Sequence, residues 1–370
     1  MALNCGIVGL PNVGKSTLFS ALTSAPAEAA NYPFCTINPN FGIVSVPDER
    51  LYKIAQLIPP QKLIPTTVEF VDIAGLVRGA SKGEGLGNQF LGNIRNVGAI
   101  IHVVRCFDDD NIVHVEGSIN PQRDIDTIEV ELALADLESV QKRIDGLGKM
   151  LRSNDKKVVD KAKIAEPVLN LLAESLNQGI SARNIQFDEE QLDSIKDLNL
   201  ITLKKQIYCC NVDENSLNEN DNIYVKQVKE IALKNGSVVI VICEKIESEI
   251  AELEDMNEKR EFLSSLGLRE SGLDQMIRAA YHSLDLQTYF TAGEKEVRAW
   301  TFIKGYTAPQ AAGIIHTDFE RGFIRAEVYH CTDLFELGSE QKIKDQGKLR
   351  IEGKEYIVQD GDVMHFRFNV

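Results

Sequence analysis

The sequence predicts an α/β fold in which a mostly parallel sheet carries helices on both faces. Short apolar runs alternate with helical segments in the N-terminal part of the chain, and a G-x-x-x-x-G-K-S motif separates the first run from the first helix. The apolar runs cover residues 5–8, 68–71 and 99–104, and the helical segments cover residues 15–22 and 89–97. This alternation is typical of sheets whose sites lie at the carboxyl ends of parallel strands.

Length and composition indicate an ordinary folded protein. The chain has 370 residues, enough for two or three folding units, and is 44% hydrophobic and 26% charged. We find no signal-peptide pattern and no apolar run near the roughly 18 residues that a membrane span needs, so we expect a cytoplasmic protein with no membrane partner. The net charge of −15 gives no reason to expect strong binding to free nucleic acid.

The cysteine pattern indicates buried thiols. Seven cysteines form an odd set without a C-x-x-C pair, which argues against a disulfide framework or a cysteine-rich metal site. Cys209 and Cys210 are adjacent, but a strand interior explains them without a redox role.

Residues 124–199 differ in composition from the sequence on either side. They contain few aromatic residues and no strand-like run, and they are rich in Glu, Lys, Leu and Ala. One apolar seam has alternating steps of three and four residues, at Leu137, Val140, Ile144, Leu147 and Leu151. Residues 158–176 supply a second helix, so we expect an antiparallel helical hairpin. The sequence leaves open whether it binds a partner or only packs against itself.

The pattern of strands and helices resumes after this insertion. Apolar runs at 206–210 and 237–243 flank a helix at 224–235, and another helix covers 273–283. The remaining strand-like segments are 297–303, 322–328, 356–358 and 363–368. We therefore predict a nucleotide-binding domain at 1–123 and 204–280, an inserted helical arm at 124–203, and a small separate domain at 281–370.

The motif from Gly9 to Ser16 is the strongest functional signal. It follows an apolar strand and precedes a helix, which is the context of a phosphate-binding P-loop. Its glycines let backbone N–H groups surround phosphates at a helix N-terminus. Lys15 is predicted to reach the β- and γ-phosphate oxygens, and the Ser16 hydroxyl to ligate Mg²⁺.

Three further residues are predicted to act on the metal ion and the γ-phosphate. Asp72 ends the run 68–71, from where a carboxylate can reach the Mg²⁺ shell. The Gly75 N–H is placed to contact the γ-phosphate. Thr36 lies in a loop between the first helix and that strand, where a switch threonine would close over the metal.

The segment Asn211-Val212-Asp213-Glu214 is predicted to contact the base. Related nucleotide sites have Asn-Lys-x-Asp here, and the aspartate pairs with the N1 and N2 donors of guanine. In this chain the lysine is absent and glutamate replaces the aspartate, which weakens that bidentate contact and favours adenine. Guanine recognition through Asp213 or Glu214 from a shifted backbone remains the alternative.

Hydrolysis is expected to be slow. Leu76 follows Gly75, where a Ras-like enzyme carries the glutamine that orients the attacking water. Three groups are candidates to replace it: a cation beside Asn12, backbone groups of the glycine-rich segment 79–87, and His114. We take His114 as the candidate catalytic side chain, the alternative being a solvated loop histidine.

The motifs together resemble the YchF/Obg-like ATPase family over essentially the whole chain. The similarity rests on residues 5–12, 31–36 and 72–87, and on the departure at 211–214. Residues 287–291, 308–312 and 360–363 resemble that family's TGS domain, a ubiquitin-like β-grasp module. The resemblance implies nucleotide contacts at residues 12–17 (Asn12, Val13, Gly14, Lys15, Ser16 and Thr17) and metal ligands at Ser16 and Thr36.

The resemblance also implies a function. It predicts an Mg²⁺-dependent switch that prefers ATP to GTP and binds the ribosome or its large subunit. We further expect a monomer, and K⁺ stays open as a second cofactor. An Obg-type GTPase and a non-catalytic ribosome or RNA adaptor remain the alternatives. Leu76 fits the family, in which a hydrophobic residue replaces the catalytic glutamine. Glu244 is a departure, because related sites place small residues beside the base there.

Overall fold

A computed structural model describes residues 3–24, 40–73, 86–109, 114–115, 117–218, 222–253 and 255–369. The strands are β1 (Asn4–Val8), β2 (Phe41–Ser45), β3 (Lys62–Ile64), β4 (Thr67–Asp72), β5 (Ala99–Arg105), β6 (Lys205–Asn211), β7 (Val238–Ile242), β8 (Leu286–Ala292), β9 (Glu296–Ile303), β10 (Phe323–His330), β11 (Arg350–Glu352) and β12 (Asp362–Phe368).

Helices lie between most of these strands. They are α1 (Lys15–Ser24), α2 (Glu49–Leu57), α3 (Leu86–Arg95), α4 (Pro121–Met150), α5 (Lys156–Asn177), α6 (Glu189–Ile195), α7 (Ile223–Asn235), α8 (Glu244–Glu252), α9 (Met256–Ser265), α10 (Gly272–Ser283), α11 (Ala308–Ile315), α12 (Thr317–Arg321), α13 (Cys331–Leu337) and α14 (Glu340–Asp345). Short 3₁₀ helices cover Ala182–Asn184, Lys196–Leu198, Ile201–Leu203 and Asn215–Asn218. None of the described helices is long and apolar enough to cross a bilayer.

The chain forms two compact units, residues 1–42 with 69–276 and residues 43–68 with 277–370. The predicted boundaries placed 43–68 in the nucleotide-binding domain, whereas contacts group this segment with the C-terminal residues. The physical reason is strand pairing, because β3 lies parallel to β9 and Leu63 pairs with Val297. The domain assignment otherwise stays a prediction.

The first sheet has the strand order β2-β4-β1-β5-β6-β7. Strand β1 lies between β4 and β5, and β5, β6 and β7 follow in parallel register. In this register Ile7 pairs with Asp72, and Asn211 pairs with both Arg105 and Ile242. The polar residues that end these strands therefore meet at one edge of the sheet, as the sequence predicts for an α/β fold.

The predicted helical hairpin is present. Helices α4 and α5 pack through one apolar core, in which Val140 and Leu147 of the predicted seam are buried against Leu169 and Leu172. Asn120 caps the N-terminus of α4, since its side chain accepts from Arg123 N, and Pro121 occupies the first position of the helix.

The second unit is a mixed sheet with the order β11-β10-β12-β8-β9-β3. Strands β8 and β12 are parallel, while β8 pairs antiparallel with β9. Helix α11 buries Ala308, Ala311 and Ala312 in a core with Tyr289 and Phe302. The predicted strand at 356–358 is wrong, because Ile357 forms only an isolated bridge with Thr307. This second unit fits the predicted β-grasp fold.

The described cysteines confirm the prediction of reduced core thiols. All are free and buried, and they are Cys5, Cys106, Cys209, Cys210, Cys243 and Cys331. Burial raises the pKa of Cys5 to about 12, so its thiol stays protonated and unreactive.

Asp136 anchors the helical arm. Its carboxylate is fully buried on α4 and accepts hydrogen bonds from Ile201 N at 3.0 Å, Thr202 N at 2.7 Å and Thr202 Oγ1 at 2.8 Å. Arg95, the last residue of α3, lies 3.4 Å from the same carboxylate and donates to Ala135 O at 2.8 Å. One side chain thus connects α4 with α3 and with the turn that leads into β6.

Asp136→Ala should lower the free energy of unfolding by about 3 kcal/mol, because it leaves buried donors and a cation without their acceptor. Urea unfolding followed by circular dichroism measures this. The matched control is Asp145→Ala on the same helix, where an exposed carboxylate accepts from Gln141 of the same helix. The control should change stability by less than about 0.5 kcal/mol. Equal losses in both variants would contradict the anchoring role.

Candidate functional site

The loop between β1 and α1 has the backbone that phosphate binding requires. Asn12 and Gly14 adopt left-handed conformations, with φ of 61° and 100°. Gly9 packs so closely on β5 that an added Cβ would lie 2.6 Å from Val103 O. Helix α1 begins directly after the loop, at Lys15, so its free N–H groups point toward the same space.

Lys15 lies across this loop. Its side chain is 8% exposed, and Nζ donates to Leu10 O at 2.7 Å. Burial lowers the pKa of the Lys15 ammonium to about 8, although the charge of Asp72 opposes this effect. An anion in the loop would compensate for the lost hydration of the ammonium, which is the role predicted for a triphosphate.

Asp72 lies at the carboxyl end of β4 and has an unused acceptor. Its Oδ1 atom is buried and has no hydrogen-bond partner in the described structure. Burial raises the pKa of Asp72, while the charge of Lys15 lowers it. Carboxylate and hydroxyl oxygens are ligands that Mg²⁺ prefers, so Asp72 and the exposed Ser16 fit this cation.

The described residues contain no group of three or more His, Cys, Asp or Glu side chains that could hold a metal ion. A magnesium ion bound here would therefore take several of its ligands from phosphate oxygens and water, as is usual for this cation. Thr36, the other predicted ligand, lies outside the described residues, as do Gly75, Leu76 and most of the segment 79–87.

Asn211 joins the phosphate loop to the segment after β7. Its Nδ2 donates to Val13 O at 3.1 Å, and its Oδ1 accepts from Glu244 N at 3.2 Å. The side chain is 1% exposed, so these bonds are shielded from water. Asn211 was predicted to contact a base. The structure places its side chain between the phosphate loop and the start of α8, and the base contact stays a prediction.

The rest of the predicted base segment is partly engaged with the protein. Val212 is buried, and Asp213 Oδ1 accepts from Ser216 N at 2.7 Å. The Glu214 carboxylate forms an ion pair with Lys245, in which both side chains are substantially exposed. Because exposed ion pairs contribute little stability, exchanging Lys245 for another partner would cost Glu214 little.

Asn12, Ser16 and Thr17 are exposed around the loop, while Val13 is buried beneath it. The structure thus brings together the predicted phosphate-loop residues, Asp72 and Asn211. His114 lies in a loop, as predicted, but it is not solvated. His114 is 8% exposed and its Nε2 lies 2.9 Å from Asp124 Oδ2, near the start of α4. The solvated-loop alternative is therefore wrong, and a catalytic role for His114 stays a prediction.

Two residues at this edge were not predicted as site residues. Arg105 is 1% exposed and donates to Phe107 O at 3.1 Å and to Asp109 O at 3.2 Å, which orders the chain after β5. Glu244 places its carboxylate against Gly14. A basic residue at the end of an apolar strand was the available signal for Arg105, and Glu244 was noted only as a departure from related sites.

Comparison with protein-family models agrees with this geometry. Residues 4–160 match a family described as 50S ribosome-binding GTPase. Residues 286–369 match the C-terminal model of the YchF GTPases, which is described as a protein of unknown function (DUF933).

Curated relatives match the whole chain. The proteins named "Ribosome-binding ATPase YchF" from Haemophilus influenzae and Bacillus subtilis are 58% identical over 370 residues and 57% identical over 371 residues. The protein of the same name from Escherichia coli O157:H7 is 55% identical over 370 residues. In each case the match covers 100% of both chains.

Solved structures agree in fold. The Schizosaccharomyces pombe YchF GTPase superposes with a TM-score of 0.88 at 38% identity, covering 99% of this chain and 97% of the other. A GTP-binding protein from Pyrococcus horikoshii OT3 superposes with a TM-score of 0.60 at 19% identity, which supports the fold alone. With full-length identity above one half to several relatives and a P-loop site in place, the chain belongs to the YchF family of P-loop nucleoside triphosphatases.

Proposed function

We propose that this chain is an Mg²⁺-dependent ATPase that prefers ATP to GTP and acts as a nucleotide-controlled switch on the ribosome. The observation that carries the proposal is the phosphate loop, in which Asn12 and Gly14 have left-handed backbone and the buried Lys15 lies across the loop. Ribosome binding and ATP hydrolysis enter the proposal from the names of the curated relatives.

Different residues are proposed to bind the phosphates and the metal ion. Lys15 and the N–H groups of the loop hold the β- and γ-phosphates. Ser16 and Asp72, with Thr36 as a third proposed ligand, would hold Mg²⁺, which when bound neutralises charge on the phosphate oxygens. Gly75 is proposed to contact the γ-phosphate. We propose Asn12, Val13, Gly14, Lys15, Ser16, Thr17, Asn211, Val212 and Glu214 as nucleotide contacts.

The preference for ATP over GTP rests on the base-contacting segment. Relatives are named ATPases, while the S. pombe structure is named a GTPase, so the names do not agree on the nucleotide. The absence of the lysine and aspartate of the guanine motif at 211–214 supports adenine. The chain is further proposed to act as a cytoplasmic monomer, with no membrane partner and with K⁺ as a candidate second ion.

Lys15→Ala should weaken ATP binding by about 100-fold, because it removes charge-assisted bonds to two phosphates. The same variant should lose any difference in ribosome co-sedimentation between ATP and ADP. Binding is measured by calorimetry. The matched control is Lys229→Ala, which removes one positive charge from the exposed face of α7.

The adaptor alternative predicts a different outcome for the Lys15→Ala protein. An adaptor is supported, and the switch hypothesis is rejected, if two results are found together. The variant co-sediments with ribosomes as the wild type does, and wild-type co-sedimentation is the same with ATP and with ADP.

Asp72→Asn should reduce the contribution of Mg²⁺ to ATP binding, because an amide oxygen is a weaker ligand than a carboxylate. We expect the ratio of ATP affinities with Mg²⁺ and with a chelator to fall by about tenfold. Glu69→Gln, which removes a negative charge from the same strand, should leave the ratio unchanged. Equal ratios in wild type and Asp72→Asn would remove Asp72 from the metal site.

Unlabelled GTP should compete with labelled ATP about tenfold less well than ATP does, since each mismatched hydrogen-bonding edge costs about this factor. The measurement is equilibrium competition in the presence of Mg²⁺. Tighter binding of GTP would reject the adenine preference and support an Obg-type GTPase.

A further inference from the structure

The Glu244 side chain lies on the phosphate loop, although related sites carry small residues at this position. A Cβ placed on Gly14 would lie 1.7 Å from Glu244 Oε2 and 2.6 Å from Asn211 Nδ2. Only a glycine leaves room for this arrangement. The carboxylate is therefore in direct contact with the loop and beside the Asn211 amide.

The position of Glu244 is fixed by buried structure. Its backbone N–H donates to Asn211 Oδ1 at 3.2 Å, and Asn211 in turn donates to Val13 O at 3.1 Å. Asn211 pairs in register with Ile242, two residues before Glu244. Because α8 begins at Glu244, both the strand and the helix hold this residue at the edge of the sheet.

One oxygen of this carboxylate has an unmet hydrogen-bonding capacity. Glu244 Oε2 is buried and has no hydrogen-bond partner among the residues that the structure describes. Burial raises the pKa of Glu244, while the neighbouring Asn211 amide and the charge of Arg105 oppose this shift. A buried acceptor without a donor is costly, so a ligand that brings a donor to this point is favoured.

The chemistry of the ligand follows from the proposed function, on which this inference rests. With the phosphates in the loop and the N1 side of the base toward residues 213–214, the opposite edge faces Asn211 and Glu244. Adenine presents an acceptor at N7 and an amino donor at N6 on that edge, whereas guanine presents acceptors at both N7 and O6. A carboxylate complements the adenine N6 amino group and opposes the guanine O6.

We propose that Glu244 is a specificity-determining residue, whose carboxylate accepts a hydrogen bond from the N6 amino group of adenine and disfavours a 6-oxo purine. In this arrangement Glu244 supplies the discrimination that the Asn211–Glu214 segment lost with its lysine and aspartate. Electrostatic repulsion of the phosphates by Glu244 acts on every nucleotide alike, so it cannot change the ratio between two bases.

The test compares ATP with inosine triphosphate, which carries O6 but lacks the 2-amino group of guanine. Competition against labelled ATP with Mg²⁺ is measured for wild type, Glu244→Gln and Glu244→Ala. The ratio of ATP to inosine triphosphate affinity should fall by about tenfold in both variants. Alanine removes the acceptor, while the uncharged glutamine amide accepts more weakly from N6 and can also donate to O6. The control variant Glu249→Ala removes the same charge from an exposed position on α8 and should keep the wild-type ratio.

The outcomes separate this inference from the proposed function. If wild type prefers ATP and the Glu244 variants keep that ratio, or gain affinity equally for both nucleotides, then Glu244 does not select the base and only this inference is overturned. If wild type prefers inosine triphosphate and GTP, the adenine preference itself fails. Glu244→Gln keeps the side-chain volume, so a loss of ratio in that variant together with normal circular dichroism supports the proposal.

Discussion

The conformation of one short loop governs the arrangement of this site. Asn12 and Gly14 adopt left-handed backbone, which turns successive N–H groups of the loop inward just before α1 begins. Side chains from other strands hold the loop in that conformation. Asn211, the last residue of β6, donates a hydrogen bond to Val13 O. Lys15, from α1, donates a hydrogen bond across the loop to Leu10 O.

The ionisable groups around this loop share one physical property. Burial shifts the pKa of Lys15 downward and the pKa values of Asp72 and Glu244 upward, so each group is pushed toward its neutral form. Phosphates, a divalent cation and an amino donor are the partners that would restore their favoured charged states. Perturbed groups gathered at the carboxyl edge of a parallel sheet are typical of binding sites. Ligand binding should therefore also stabilise the folded chain.

Much of the fold and the phosphate site could be predicted from the sequence because the signals are local. The glycine spacing of the P-loop, the apolar strands and the alternating seam through Val140 and Leu147 each lie within one short segment. The association of 43–68 with the C-terminal residues could not be predicted, since it depends on the pairing of β3 with β9 across more than 200 residues. The contact of Glu244 with Gly14 is likewise long-range, and a charged residue at a helix start gives no local sign of its target.

The polar contacts that connect α4 with α3 and with the turn before β6 were missed for the same reason. Asp136 reads as one acidic residue on a solvated helix, yet it is fully buried and binds a turn 65 residues later. His114 shows the converse case, because a loop histidine in the sequence is a buried partner of Asp124 in the structure. Side chains whose partners are distant in sequence are the part of this structure that only the folded chain reveals.

The central claim is that the loop binds a polyphosphate chain through main-chain amides and Lys15. Titration calorimetry of the folded chain with ATP, and separately with adenosine, in the presence of Mg²⁺ tests it most directly. The account predicts saturable heat for ATP and none for adenosine at the same concentrations, since the phosphates supply most of the binding free energy. No heat for ATP, or equal affinity for adenosine and ATP, would contradict it.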